Sequence, residues 1–511
     1  MKTMRTQLYI LPLLLACCVN SGIGEQKAPE TRPPAWAGQF YPSDRAQLKL
    51  AVRQLVEDAV PARVKTPIAL VVPHAGYLYS GQIAADGYRQ AAAGNYDVVV
   101  ILGTNHVSEA LNGISVYPRG AYRTPLGDAI VDEAVAGALL AEDPDCSADT
   151  AAQAKEHSIE VQVPFIQHLF PAARIVPVMI GRPDPEMCAR LGRALGRILK
   201  GRRALIVASS DLSHFPGYQD AVDVDRQTLE SVAGMDPGGF DAKISALMSQ
   251  YYRGLGTCAC GAGPILAAMS ASKALGATYG VVMSYANSGD VVAGDRSRVV
   301  GYGSVVFAAG PGEPDVKALS RPARTATATP LQPDEKKALL RFARSSLERY
   351  LSAGIMPLGR SLPSRLQYPQ GAFVTLKQEG RLRGCIGYMA EDTPVGVAAG
   401  YMAVQAGVND SRFPPVSLKE LAGLEIEISV LTPMKPISEP RQIVLGRDGV
   451  AIQKAGRSAV FLPQVATEQK WSLTEMLENL CVKAGLPSDA WKSGAQFRIF
   501  QADVFSEHQF K

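Results

Sequence analysis

The sequence predicts an α/β protein of two domains: an N-terminal unit built on a mostly parallel sheet, and a smaller C-terminal unit of α+β type. Three observations lead there. At 511 residues the chain is too long for a single core, since domains typically hold roughly 100–200 residues. Its N-terminal half alternates short apolar runs with longer stretches of helical spacing, the pattern of βαβ units. A segment near residue 311 carries five prolines and no apolar periodicity, which divides the two halves.

The first elements read as address rather than fold. Lys2 and Arg5 precede the apolar stretch Leu8 to Ala16, which has signal-peptide length and is too short to span a bilayer. Leu14, Leu15, Ala16 and Cys17 resemble a bacterial lipobox, which implies an exported lipoprotein of the cell envelope, held on the periplasmic side by a lipid on Cys17. Residues 1–17 are thus expected to be a lipoprotein-type signal peptide and residues 18–35, with their glycines and prolines, a flexible tether. The net charge of +4 is small for this length, and no run of basic residues interleaves with aromatics, so nucleic acid is not expected as a partner.

Residues 36–310 form the first domain. Ile68 to Val72, Val98 to Leu102, Ile175 to Ile180, Leu205 to Ala208 and Val281 to Met283 read as strands buried on both faces, with helices between them such as Glu186 to Leu199 and Pro264 to Leu275. Open α/β sheets bind ligands beyond the carboxyl ends of their strands. Directly after these runs stand His74, His106, the segment Ser209 to His214, and Ser284 to Asp290. Three of the six histidines fall at such ends, so the topology can bring them together. Asp211 and His214 are three apart and would share a face if a helix starts there. Glu156 and His157 form a second acid and imidazole cluster, equally readable as a solvated helix turn. Cys258 and Cys260 precede an apolar helix, where the helix dipole would favour thiolate. Imidazole with thiolate or carboxylate suits iron, copper or zinc rather than calcium or magnesium.

Residues 311–333 read as the linker and 334–511 as the second domain. There "GAFVTLKQEGRLRGCIGYM" pairs two strands across a turn at Glu379-Gly380, with Cys385 between glycines and beside Arg383, whose charge would favour its thiolate. "LEIEISVLTP" alternates strictly, placing Glu425 and Glu427 on one face of a strand.

"PHAGYLYSG", "LGTNH", "EHSIEVQVPFI", "SSDLSH", "CG" followed by Pro264, and "SYANSGD" together resemble the Memo family, which is similar in fold to class III extradiol dioxygenases. The resemblance implies a metal site of His74, His106 and Cys260, with Asp211 and His214 beside it as acid/base residues. It implies iron or copper, with zinc as an alternative occupant. A thiolate at Cys260 replaces the carboxylate of the ring-cleaving enzymes, and Val107 stands where many members carry a second histidine. "LRGCIG" and "DSRFPPV" make the C-terminal residues resemble the AMMECR family, with Cys385 as its candidate reactive residue. The two together resemble AmmeMemoRadiSam systems. The chain has no CxxxCxxC cluster, so a radical S-adenosylmethionine partner would be a separate protein. The resemblance leaves two classes of function: redox or oxygen-linked chemistry on a small molecule or protein substrate, and non-enzymatic metal binding with partner docking.

Overall fold

A computed structural model describes residues 31–319 and 324–510. The expected signal peptide, Cys17 and most of the tether lie outside the described residues. The strands of the first domain are β1 (Thr31–Arg32), β2 (Pro67–Val72), β3 (Val98–Thr104), β4 (Ile114–Val116), β5 (Ala121–Thr124), β6 (Gly127–Ile130), β7 (Cys146–Ser147), β8 (Arg174–Ile180), β9 (Ala204–Ser209), β10 (Tyr279–Asn287) and β11 (Gly301–Ala308). Eight of them make one sheet in the order β10-β11-β2-β9-β3-β8-β4-β7. Its centre, β2-β9-β3-β8, is parallel throughout. Those strands are the continuous Val/Ile/Leu runs of the sequence, and β3 is buried at every residue because helices cover both faces. On β11 the successive residues Gly303 and Ser304 show this directly. A Cβ at Gly303 would meet Leu229 of the helix Tyr218–Ala233, while Ser304 lies under Gly87 of the helix Tyr77–Ala91.

Three details depart from the sequence reading. β11, which the sequence reading did not pick out, runs antiparallel to both β10 and β2, so β10 points the same way as the parallel strands and the "SYANSGD" motif leaves the sheet at the same edge as the other motifs. Residues 211–214 do not start a helix: His214 bridges to Val300 and Thr257, and the next helix begins at Tyr218. The ordered chain starts before residue 36, because Thr31 and Arg32 pair with β5 and Arg32 is 2% exposed.

The second domain is antiparallel. β12 (Ala372–Gln378), β13 (Arg381–Tyr388), β14 (Leu424–Leu431), β15 (Lys435–Ile437), β16 (Gly449–Lys454), β17 (Arg457–Phe461), β18 (Gln496–Phe500) and β19 (Ala502–Ser506) form two sheets, ordered β13-β12-β14-β19 and β15-β18-β16-β17. The hairpin β12–β13 turns on Glu379 and Gly380, both with positive φ, as a two-residue turn of type I′ requires. Helices Pro333–Ala353 and Val395–Val408 bury the inner face of the first sheet, and Leu473–Lys483 packs on the second.

The domains touch along a polar seam with apolar anchors. Arg360 donates to both oxygens of Asp86, at 2.8 and 2.6 Å, and Asp86 is fully buried. Arg349 pairs with Asp58, and Arg296 donates to the Asp392 carbonyl. Ala353 and Ile355 join the core of the first domain, and Ala293 that of the second. Among the described residues, no helix is long and apolar enough to cross a membrane.

Candidate metal centre

Strands β2, β9 and β3 are neighbours and parallel, so their carboxyl ends open on one point. His74 stands two residues past β2, Asp211 two past β9, and His106 two past β3. The Cys260 loop is stitched over these ends: Thr104 Oγ1 donates to the Cys260 carbonyl, the Cys260 N–H to the Asp211 carbonyl, and the Gly261 N–H to Ser210 Oγ.

The hydrogen-bond network fixes the tautomer of His74. Ser209 Oγ spends its proton on the Ser158 carbonyl (2.6 Å) and accepts from Gln162 Nε2 (2.9 Å), so at 3.1 Å it accepts from His74 Nδ1 as well. The proton is therefore on Nδ1, and the Nε2 lone pair faces Cys260 Sγ at 3.1 Å. His106 repeats the arrangement on a carboxylate, since Glu156 accepts from its Nδ1 at 2.9 Å and from its backbone N–H at 2.7 Å. Both imidazoles thus offer Nε2 to the same space, oriented from behind, as metal-binding histidines usually are.

His157 completes a ring cluster that the sequence did not assign to the site. Its ring stacks on His106 at 4.4 Å and meets His74 edge-on at 5.2 Å, with Nδ1 3.3 Å from Glu156. The segment carrying Glu156 and His157 is clamped by a buried pair. Arg32 donates to Glu160, to the Glu156 carbonyl and to the Gln153 carbonyl, while Glu160 also accepts from the Ala35 and Trp36 N–H groups and the Tyr41 hydroxyl. The clamp seats Trp36 and Phe40 against the His157 ring, at 5.6 and 4.7 Å. "EHSIE" is the sequence signal for this cluster. Its Glu156 caps the short helix His157–Glu160, as a helix turn would, but its carboxylate faces inward to the histidines.

Two sets of donors close to within 4.8 Å of one another: His74 with His106 and His157, and His74 with Asp211 and Cys260. His74 belongs to both. Among the described residues, His106 and Cys260 do not enter one set together at that spacing, so the three ligands expected from sequence meet through His74 rather than as a closed triad.

Electrostatics keep the His74 and His157 rings neutral and Glu156 ionised. Burial, then the neighbouring His106, lowers His74 to about 3, and burial with His74 lowers His157 to about 3. Burial alone would raise Glu156, but its hydrogen bond from His106 and the charges of His106 and His157 bring it down to about 2. The thiols correct the expectation from the helix dipole. Burial pushes Cys258 up to about 12, and burial with Asp211 raises Cys260 well above the ordinary thiol value. A half-charge at a helix terminus does not offset that desolvation.

Asp211 accepts from the backbone N–H groups of His74 and Ala75, at 2.8 and 3.2 Å. Burial raises it. His214 lies near enough to be felt by His74 and Asp211, and burial lowers it. His214 does not cap a helix: Gly217 holds that position, and His214 Nε2 is buried without a hydrogen-bond partner. Behind it, Asp225 accepts from the Ser213 N–H (2.8 Å) and the Tyr285 hydroxyl (2.9 Å).

Cys385 is on the edge strand β13, half-buried, far along the chain from this cluster. Its Sγ accepts from the Thr375 hydroxyl at 3.3 Å, and its N–H donates to Asp410 at 2.8 Å. Arg383, expected beside it, is paired with Glu420 instead. The cation at Cys385 is Arg412, which donates to its carbonyl and holds Asp410 well below the usual carboxylate range.

A family model described as Memo-like protein matches residues 32–306, more than half of the chain. The chain belongs to the Memo family. The Memo domain is fused to an AMMECR1 domain, whose model matches residues 340–505. A MEMO1 family protein of Methanopyrus kandleri is 36% identical over 291 residues, covering 55% of this chain and 99% of that protein. One from Methanosarcina mazei is 38% identical over 280 residues, covering 54% and 99%. Among solved structures, an uncharacterized protein from Pyrococcus horikoshii is 37% identical over 35% of this chain and 93% of its own, with a TM-score of 0.33.

Proposed function

We propose that this Memo–AMMECR1 fusion is an envelope-anchored protein that binds iron or copper at His74, His106 and Cys260 and uses it in redox or oxygen-linked chemistry, or in a modification carried out with a separate radical S-adenosylmethionine protein. One observation carries the reading: two imidazoles turned by Ser209 and Glu156 to present Nε2, one of them 3.1 Å from the Cys260 sulfur. The donor set fits a borderline or soft transition metal, and a buried His214 nitrogen without a partner belongs to the same surroundings. Such a metal would supply Lewis acidity or an electron, with the Cys260 proton released as it binds. Asp211 holds the His74 backbone in place, and His214, whose basicity burial lowers, is the candidate acid/base group. Zinc is the alternative occupant.

Metal analysis of the purified chain, with oxygen consumption measured on the iron- and copper-loaded forms, tests this. His74→Ala and Cys260→Ala should each lose stoichiometric metal, whereas His214→Ala should keep metal and lose turnover. Retention of a full equivalent by both ligand variants would end the assignment. The anchor rests on Leu14 to Cys17 and is read separately, by the mass of the mature N-terminus; an unlipidated terminus beginning after residue 18 would remove it.

A further inference from the structure

The metal centre leaves one sequence signature unused, the "SYANSGD" segment. β10 is the edge strand of the sheet, and Tyr285, Ala286 and Asp290 at its end line a cleft of about 910 Å³ between the Memo and AMMECR1 domains. Its far wall is Leu358, Leu362 and neighbouring residues of the AMMECR1 side, and the linker closes one end with Arg324. Volumes of roughly 300–1,000 Å³ with a few fixed polar groups are those of small-molecule sites.

The charged groups of the cleft are not equally committed. Arg360 is taken by Asp86. Arg296 is fixed by the Gly289 and Asp392 carbonyls and lies 3.6 Å above the Tyr218 ring. Asp290 accepts from the Tyr218 hydroxyl and the Asn287 N–H, and Asp392 from the Tyr388 and Thr393 hydroxyls. Arg324 differs: one of its nitrogens donates to the Ser364 carbonyl at 2.7 Å, and its guanidinium sits 5.2 Å from the Tyr368 ring centroid. A guanidinium has five N–H donors, so most of Arg324 is available to an occupant. Beside Arg324 the cleft presents apolar Leu358, Leu362 and Val222.

We propose that the interdomain cleft binds a small organic anion with an apolar body, its charged head on Arg324 and its body against Leu358 and Leu362. The fusion creates the site, since neither domain alone supplies both walls. The site is independent of the metal ligands, and its test uses metal-free full-length protein, so failure here leaves the metal assignment untouched.

The probe is 8-anilinonaphthalene-1-sulfonate, an aromatic body with one anionic head, titrated by fluorescence. The expected result is one saturable site per chain, weakened at least tenfold by Arg324→Glu and also weakened by Leu358→Trp, which crowds the wall that takes the apolar body. N-Phenyl-1-naphthylamine, the same body without the sulfonate, should bind at least tenfold more weakly than the sulfonate. Val482→Glu, at an exposed position on another part of the AMMECR1 domain, should change nothing. Binding that does not saturate, or an affinity unaltered by Arg324→Glu, would overturn the proposal. Should Leu358→Trp fail to fold, the half-exposed Arg324→Glu decides alone.

Discussion

Glu156 is the residue on which two histidines depend, through its bonds to His106 and its approach to His157. Glu156→Gln keeps the shape but removes the charge that orients His106, so metal affinity should fall by about 10–100-fold, the usual effect of losing a partner behind a ligand. Competition against a chelator of known affinity measures it. A second residue speaks through pH. Burial pushes Asp225 up to about 7, above the 3.8 of an exposed carboxyl. Between those values the folded state holds a proton that the unfolded chain has released, so Asp225 contributes stability below about pH 4 that is lost as pH rises to 7. The full difference is about 4 kcal/mol. Asp225→Asn should therefore flatten the fall of melting temperature over that range, and an unchanged slope would show that the proton is not there. Of the site itself, His74, His106 and Asp211 are legible as residues that follow apolar strands. His157 is not, because what turns it inward is Arg32, more than a hundred residues away in the chain.

Among elements, the Cys260 loop and the helix Ala262–Ala274 that follows it fit the strand ends with no room to spare. A Cβ at Gly261 would lie 2.5 Å from the Ser209 carbonyl and 2.6 Å from Ser210 Cβ. Gly261→Ala should cost about 1–3 kcal/mol through the shift it forces, visible in urea unfolding, and it should lower metal occupancy because Cys260 moves with the loop. The central strands and most helices are plain in the sequence, since buried parallel strands are continuous apolar runs. β11 is less so: its Gly301 and Gly303 make room for Asp225 and Leu229 and interrupt the pattern. The direction of β11 is hidden for another reason, as the run "SVVFA" is the same whether its strand is parallel or antiparallel. Ser209 likewise looks like a local turn residue, whereas its bonds reach Ser158, Gln162 and His74.

At the scale of the whole molecule, the seam between domains rests on a carboxylate that water does not reach. Arg360→Ala strands Asp86 with the Val60 N–H alone and should lower stability by about 1–3 kcal/mol. Adding Asp86→Asn should restore part of the loss, as differential scanning calorimetry would register. Protease should still cut first within residues 311–333, and the two fragments should co-elute while that pair is intact. None of these long-range pairs is written in local periodicity, so two domains are legible in the sequence and their joint is not. The Arg32 clamp has a mechanical consequence. Thr31 and Arg32 pair with β5, and Arg32 is pinned by side-chain bonds to Gln153, Glu156 and Glu160 before the chain reaches Trp36 and Phe40. Tension applied along the N-terminal end would load Arg32 and the strands beneath it, leaving the aromatic wall against His157 slack, so a pull entering at Thr31 stops short of the histidines.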